Sequence, residues 1–380
     1  MSTTQSTIFR DAIDKGLEGV VACSTAISSI EGATLNYRGY TIEELVEKST
    51  FEEVTFLLWN DRLPTRPELQ EFRAQLLKEM TLPTALTDLL KSYLKSFPKS
   101  GHPMDFLRTA VSMLAAFDPD TSDMSEAANR RKALRLTAKM GTLVAAFERF
   151  RKGQELASID SNRSMAWNFL NMLMGKAPTA EHEKIFDTAL VLHADHEINC
   201  SAFSTRVTAS SLSDLHSAVT SAIGTLKGPL HGGANEQVLV MLQKIGSMSN
   251  VEAFITEALS GKQKIMGIGH RVYKNGDPRA RILRQMSQKL TAQIGKPELY
   301  EMSVKIDETM LSKKGLMPNV DFYSATVYHS MGIPTDLFTP IFAVSRISGW
   351  CAHAFEQYAN NRIYRPRGEY KGKTGLRYGA

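Results

Sequence analysis

Apolar residues recur along this chain at the three- and four-residue spacing of a helix face, and rarely in alternation. Between Asn250 and Ser260 they fall at Val251, Phe254, Ile255, Ala258 and Leu259, a single stripe on a 3.6-residue period. Ile282, Leu283, Met286 and Leu290 repeat that stripe after Asp277-Pro278, where a capping acid and a proline in the first turn open a helix. Thr41-Ile42-Glu43-Glu44 has the spacing of a capping box and predicts a helix through Val46. Thr50-Phe51-Glu52-Glu53 predicts another to Trp59. Thr339-Pro340 repeats the device of a cap followed by proline, ahead of a helix ending near Asn360. That helix is apolar over much of its surface and is expected to be deeply buried. Asp321 heads a further apolar helix through Tyr328. Ala33 to Tyr40 reads as an extended piece or short hairpin, and residues 118–130, acidic and then basic, read as a surface loop. Breaks fall at Pro64, Pro98 to Gly101, Pro178, Gly228-Pro229 and Gly332 to Pro334. The pattern predicts an all-α protein.

Composition narrows the class. The 380 residues are 43% hydrophobic, ordinary for a globular protein with a real core, and long enough for one large domain or two moderate ones. Lys plus Arg number 45 against 40 Asp plus Glu, a net charge of +5. Spread over this length the excess does not form a nucleic-acid footprint, so no nucleic-acid partner is expected. A mild positive field also suits anionic substrates. The three cysteines, Cys23, Cys200 and Cys351, are far apart. They form neither a disulfide framework nor a zinc spacing, and a reducing compartment is expected. Met1 to Asp14 is polar without an apolar run after a basic start, so no secretory signal is expected. No apolar stretch approaches 18 residues, and no membrane span is expected. The cytoplasm is the expected location.

Three blocks in the second half carry candidate chemistry. They are Gly228-Pro229-Leu230-His231-Gly232-Gly233, then Gly267-Ile268-Gly269-His270 running on to Asp277-Pro278-Arg279, and Asn319-Val320-Asp321. Two of them set a histidine among glycines that let backbone and ligand approach closely. The third supplies a carboxylate after a loop proline. Taken alone, Asp321 also fits a helix cap, His231 a turn residue, and His270 a buried histidine bonded to backbone. Together, one base and two histidines suit removal of a carbon-bound proton with polarisation of two carbonyls. Arg279, Arg346 and Arg365 are candidates for holding carboxylates, because a planar guanidinium bonds both oxygens. His193, one helical turn before His196, reads as structural. His102, His182, His216, His329 and His353 have no supporting pattern. His193, His196 and Glu197 lack the order of a zinc-protease motif, and no metal site is expected.

In this order the blocks resemble the citrate synthase family. The resemblance runs from Tyr37-Arg38-Gly39-Tyr40, through Ala194-Asp195-His196-Glu197 with Asn199 and Ser201, to Ile363-Tyr364-Arg365-Pro366. One departure is Ile268, where the family usually has an aromatic; it bears on acyl-CoA packing. The resemblance implies a large helical domain of residues 1–231 and 333–380, with a small helical domain, 232–332, inserted and closing on a hinge. It implies condensation of acetyl-CoA with oxaloacetate to citrate and CoA, with Asp321 as the base, His231 donating to the thioester oxygen and His270 to the keto oxygen. His196, Asn199, Arg279, Arg346 and Arg365 would hold oxaloacetate or citrate, Arg365 in the partner subunit's site of a homodimer. Lys264, Ile265, Met266, Gly267, Ile268 and Gly269, with Lys274, would hold CoA. No metal or other cofactor is implied. The short stretch before the pattern begins implies a dimer with weak or no NADH control. A 2-methylcitrate synthase using propionyl-CoA is the nearest alternative. A catalytically inactive helical binding or scaffold protein is the alternative of another class.

Overall fold

The computed structural model describes residues 15–17, 19–273 and 276–379; Met1 to Asp14 and Lys274 lie outside the described residues. The chain begins with a small antiparallel sheet of β1 (Ser28–Glu31), β2 (Thr34–Tyr37) and β3 (Tyr40–Thr41), in that order. Ser28 pairs with Tyr37 and Tyr37 with Tyr40. The β2–β3 turn places Arg38 at φ 49 and Gly39 at φ 84, both left-handed, as a tight hairpin requires. Arg38 is held there by two bonds to the Leu58 carbonyl, at 3.2 and 2.8 Å. The extended piece read from the sequence is therefore the middle and last strand; β1 completes it.

The remainder is helical. Among the described residues the sheet is followed by α1 (Ile42–Lys48), α2 (Phe51–Asn60), α3 (Arg66–Glu79), α4 (Thr84–Ser96), α5 (Pro103–Leu114), α6 (Glu126–Arg151), α7 (Met165–Met174), α8 (Ala180–His193), α9 (Cys200–Ser210) and α10 (Leu215–Leu226). Then come α11 (Ala234–Ile245), α12 (Val251–Ser260), α13 (Pro278–Gln293), α14 (Pro297–Lys314) and α15 (Val320–Ser330), and finally α16 (Phe338–Ala359). The all-α reading stands.

Local signals set several boundaries. Thr50 and Glu53 form both halves of the capping box of α2. At α1 only half forms: Thr41 accepts from the Glu44 amide, while the Glu44 carboxylate pairs with Lys48 at 2.9 Å. Asp277 caps α13 with Pro278 in its first turn. Thr339 departs from expectation. It lies inside the first turn of α16, whose cap position is Leu337, and its hydroxyl bonds Glu236 of α11 instead. Residues 118–130 are not one surface loop. Helix α6 starts at Glu126, and the Asp118 side chain is buried against Arg135 and His216.

Helix α16 runs through the middle of the molecule, in contact with α2, α5, α6, α8, α9, α10 and α11. Ile341, Ile347, Trp350, Cys351 and Ala354 have no exposed surface, as expected for a helix apolar on all sides. Helices α11 to α15 pack mainly on one another, α13 along α15, α11 on α15 and α12 on α14, and meet the rest through α1, α8 and α16.

Helix α16 passes so close to the end of α8 that Gly349 has no room for a side chain. A Cβ there would lie 2.5 Å from both the Ala194 carbonyl and Asp195 Oδ1. Gly349→Ala is expected to destabilise the protein by about 1–3 kcal/mol through overpacking. Denaturant unfolding measures this; an unchanged midpoint would contradict the close packing.

Candidate active site

Two distant loops are tied together by backbone pairing. The Gly269 amide donates to the Met317 carbonyl at 2.7 Å, the Asn319 amide to the Gly267 carbonyl at 2.9 Å, and Ile268 bridges Pro318. Gly267 makes this possible: at φ 73, a Cβ would come within 2.9 Å of Phe322 Cα. The Asn319 side chain donates to the Gly269 carbonyl at 2.9 Å and accepts from the Asp321 amide at 3.0 Å, capping α15. Thus the loop carrying His270 and the helix start carrying Asp321 are one unit. His270 Nδ1 accepts from the amides of Val272 and Tyr273, at 3.0 and 3.2 Å. Its proton therefore sits on Nε2.

Asp277 draws a third element in. Its carboxylate accepts from the Arg279 amide at 3.0 Å and forks onto the Arg279 guanidinium at 2.9 and 2.8 Å. It also accepts from the Val320 amide at the head of α15, at 3.1 Å. Burial works against the Arg279 charge, but Asp277 outweighs it and pushes the pKa up. From α16, Arg346 donates through Nε to the His193 carbonyl at 2.8 Å and lies over the Phe342 ring. Burial lowers its pKa to about 10. Both guanidiniums are buried, and Nη1 of each has no hydrogen-bond partner among the described residues. Buried, unpaired N–H donors are costly; a carboxylate ligand would satisfy both.

Asp321 is buried with Oδ1 unpartnered. Burial raises its pKa to about 7; Asp277 adds to the rise, while Arg279 and Arg346 oppose it. His231 is the opposite case. Burial, with Arg346, lowers its pKa to about 3, so the ring is neutral. Its Nε2 lies 2.8 Å from Ser201 Oγ and accepts from the Ser201 amide at 3.3 Å. The proton is therefore on Nδ1. Ser201 is held in turn by Trp350 Nε1 at 3.1 Å and Asn199 Oδ1 at 2.9 Å. Burial, with Arg279 and His270, lowers the His196 pKa well below its ordinary value. Its Nε2 meets the Tyr273 hydroxyl at 3.2 Å, and its ring lies 5.1 Å from that of His270.

The sequence candidates divide accordingly. The fold gathers His196, His270, Arg279, Arg346 and Asp321 through contacts and mutual electrostatic influence, and Arg346 links His231 to them. Asn199 caps α9, its Oδ1 taken by the Ala202 amide and Ser201. Arg365 is exposed beyond the end of α16. Within one chain it is not part of this cluster. Of the acyl-CoA segment, Lys264 is exposed, Ile265 and Gly267 are buried, and Met266, Ile268 and Gly269 are half-buried; Lys274 lies outside the described residues. Sequence reasoning missed Tyr273, although it stands three residues after His270 in the same block. It also passed over His353, which meets Asp195 at 3.2 Å and had no local signal at all. Among the described residues no group of three His, Cys, Asp or Glu could hold a metal ion, and no helix is long and apolar enough to cross a membrane.

A carboxylate titrating near neutrality, histidine N–H donors and two cations with open bonding capacity form an arrangement suited to enolisation of one carbonyl compound beside an anchored carboxylate. The sequence matches the family described as "Citrate synthase, C-terminal domain" over residues 16–367. It is 52% identical to "Citrate synthase 2" of Bacillus subtilis, over 94% of this chain and 95% of that protein. It is 42% identical to "2-methylcitrate synthase" of Shewanella oneidensis, over 94% of each. The fold superposes on citrate synthase from Thermoplasma acidophilum, solved as a ternary complex with carboxymethyl coenzyme A and oxaloacetate. The TM-score is 0.90 and the identity 31%, over 97% of this chain and 98% of that one. On the family match and these relatives, the chain belongs to the citrate synthase family.

Proposed function

We propose that this chain condenses acetyl-CoA with oxaloacetate and hydrolyses the resulting thioester, releasing citrate and free CoA. The observation that carries this reading is Asp321: a buried carboxylate with an open oxygen, raised to about 7, in the field of two partly unsatisfied arginines. A base for a carbon acid works best with its pKa near the working pH.

In the reaction, Asp321 takes a methyl proton from the thioester while His231 Nδ1–H donates to the thioester oxygen. The negative charge that develops on the thioester oxygen is held by that hydrogen bond, giving an enolate with enol character. Arg279 and Arg346 hold the oxaloacetate carboxylates with His196 beside them, and Asn199 serves by fixing Ser201 and so His231. The enol carbon attacks the keto carbon, and His270 Nε2–H supplies the proton to the keto oxygen; solvent restores that proton as Asp321 gives up the one taken from the methyl group. Water then cleaves the citryl thioester, giving carboxylate and thiol. Each step uses side chains alone, with no metal or other cofactor. The segment Lys264 to Gly269, with Lys274, holds CoA. Residues 232–332 form the small domain, which closes over residues 1–231 and 333–380, with Gly332 at φ 78 beside the hinge. Two chains pair, and Arg365 of each completes the other's site in the cytoplasm. Relatives named 2-methylcitrate synthase support propionyl-CoA as the second acyl donor. One methylene changes pocket binding by about 1–3 kcal/mol.

The direct test is free-thiol release from acetyl-CoA and propionyl-CoA, with and without oxaloacetate. Oxaloacetate-dependent release is expected, and the ratio of kcat/KM values names the preferred donor. Asp321→Asn should lower kcat by about 10²–10⁴-fold, the usual worth of a general base. Folded protein releasing no thiol from either donor would contradict the reading.

The raised Asp321 pKa also fixes two pH dependences. The base acts only when ionised, so kcat/KM should rise with pH along an acidic limb centred near 7. For the unliganded fold the sign is opposite. The stability gained by keeping Asp321 protonated is present below its ordinary value of 3.8 and is lost as the pH rises through about 7. Asp321→Asn removes that loss, so its Tm relative to the wild type should climb over this interval. A difference in Tm that stays flat with pH would contradict the buried ionisation.

A further inference from the structure

We propose that Arg206 is a positioning residue for this reaction, fixing the loop that aims His196 and anchoring the segment that leads to Arg365. The inference rests on the citrate synthase reading and deepens it.

Arg206 lies in the middle of α9 and is 2% exposed. Its Nε–H donates to His353 Nδ1 at 3.0 Å, and its other edge pairs with Glu356. The lone pair of His353 is thereby on Nδ1 and its proton on Nε2, which lies 3.2 and 3.3 Å from the two Asp195 oxygens. Asp195 is fully buried and also accepts from Ser28 Oγ at 2.5 Å; that oxygen accepts from the Glu197 amide at 2.8 Å. Burial pushes the Asp195 carboxyl up, but His353, Arg346 and Ser28 outweigh it and hold the group ionised.

The line from Glu356 through Arg206, His353, Asp195 and Ser28 therefore ends on both chain neighbours of His196. One of them, Glu197, has φ 50, a left-handed conformation that a residue with a long side chain rarely adopts. That reversal follows His196 directly and helps direct its ring toward His270 and Tyr273. The buried network keeps the reversal in place. Without Arg206, His353 Nδ1 loses its donor, and the ring that donates to Asp195 is held on one side only.

The same guanidinium faces the chain end. Tyr364 bears through its hydroxyl on Arg206 and Cys23. Its ring packs on Phe203 at 5.5 Å, and its amide donates to Ser210 Oγ at 3.1 Å. A cavity of about 560 Å³ opens here, lined by Arg206, Glu356, Tyr364 and residues 22–26. Arg365 is the next residue. Helix α9 thus holds His231 at its first turn, the His196 loop at its middle and the approach to Arg365 at its end.

The test uses Arg206→Lys, which keeps the charge but not the two-sided fork, and Glu356→Gln at the partly exposed end of the line. Steady-state kinetics with both substrates would be joined to calorimetric binding of oxaloacetate without acyl-CoA, with circular dichroism to establish folding. Losing a charge-assisted bond of this kind is expected to raise the oxaloacetate Kd and KM about tenfold or more in Arg206→Lys. Glu356→Gln should move them the same way by less, and the acyl-CoA KM should stay near the wild-type value in both. Wild-type oxaloacetate affinity in a folded variant, or equal rises in both KM values, would overturn the proposal. If Arg206→Lys does not fold, Glu356→Gln decides alone. Absence of oxaloacetate-dependent thiol release by the wild type would count against the parent reading instead.

Discussion

The site depends on where the Asp277 carboxylate directs its bonds. It caps its own helix at Arg279, grips the Arg279 guanidinium on two edges, and accepts from the first amide of the helix that carries Asp321. Each bond alone is ordinary. Together they set the separation between the Arg279 guanidinium and the Asp321 carboxylate, which would otherwise stand on independent helices. The backbone pairing of Gly267 and Gly269 with Met317 and Asn319 locks the His270 loop to the same unit. Asp277 does this while fully ionised, because Arg279 and His270 outweigh the cost of its burial.

Electrostatics then assigns the roles. Two guanidiniums are buried within influence of two histidines and a carboxylate. Burial drives all the titratable groups toward neutrality. His196 and His231 lose their protons, and Asp321 keeps its proton until about pH 7. The guanidiniums cannot follow, since an arginine stays charged at any working pH. The Nη1 group of each has no hydrogen-bond partner among the described residues, a cost that burial makes larger. A dianionic ligand would offset that cost by accepting from both guanidiniums.

What could be read from the sequence was what is local in the chain. Thr50 with Glu53, and Asp277 with Pro278, declare helix starts because each cap lies within three residues of the amide it serves. Glycine-flanked histidines and a carboxylate after proline were legible for the same reason. Thr339 misled because its hydroxyl bonds Glu236, 103 residues away, in place of its own helix. Asp118 looked like loop surface, yet α6 and α10 bury its side chain with Arg135 and His216. The network behind His196 left no trace in spacing: His353 and Asp195 stand 158 residues apart, Arg206 and His353 147. Such contacts arise only when α8, α9 and α16 pack together, and no periodicity encodes that.

The central claim is that Asp321 removes a proton from the acyl carbon while the partner carbonyl site is occupied. The most direct measurement is the exchange of acetyl-CoA methyl hydrogens with deuterated solvent, followed by NMR. An inert analogue with a hydroxyl in place of the ketone of oxaloacetate would fill the second site, so that no condensation consumes the enol. The account predicts exchange catalysed by the wild type, faster above pH 7 than below it, and abolished in Asp321→Asn. Exchange that persists in that variant would contradict the account and place the base elsewhere.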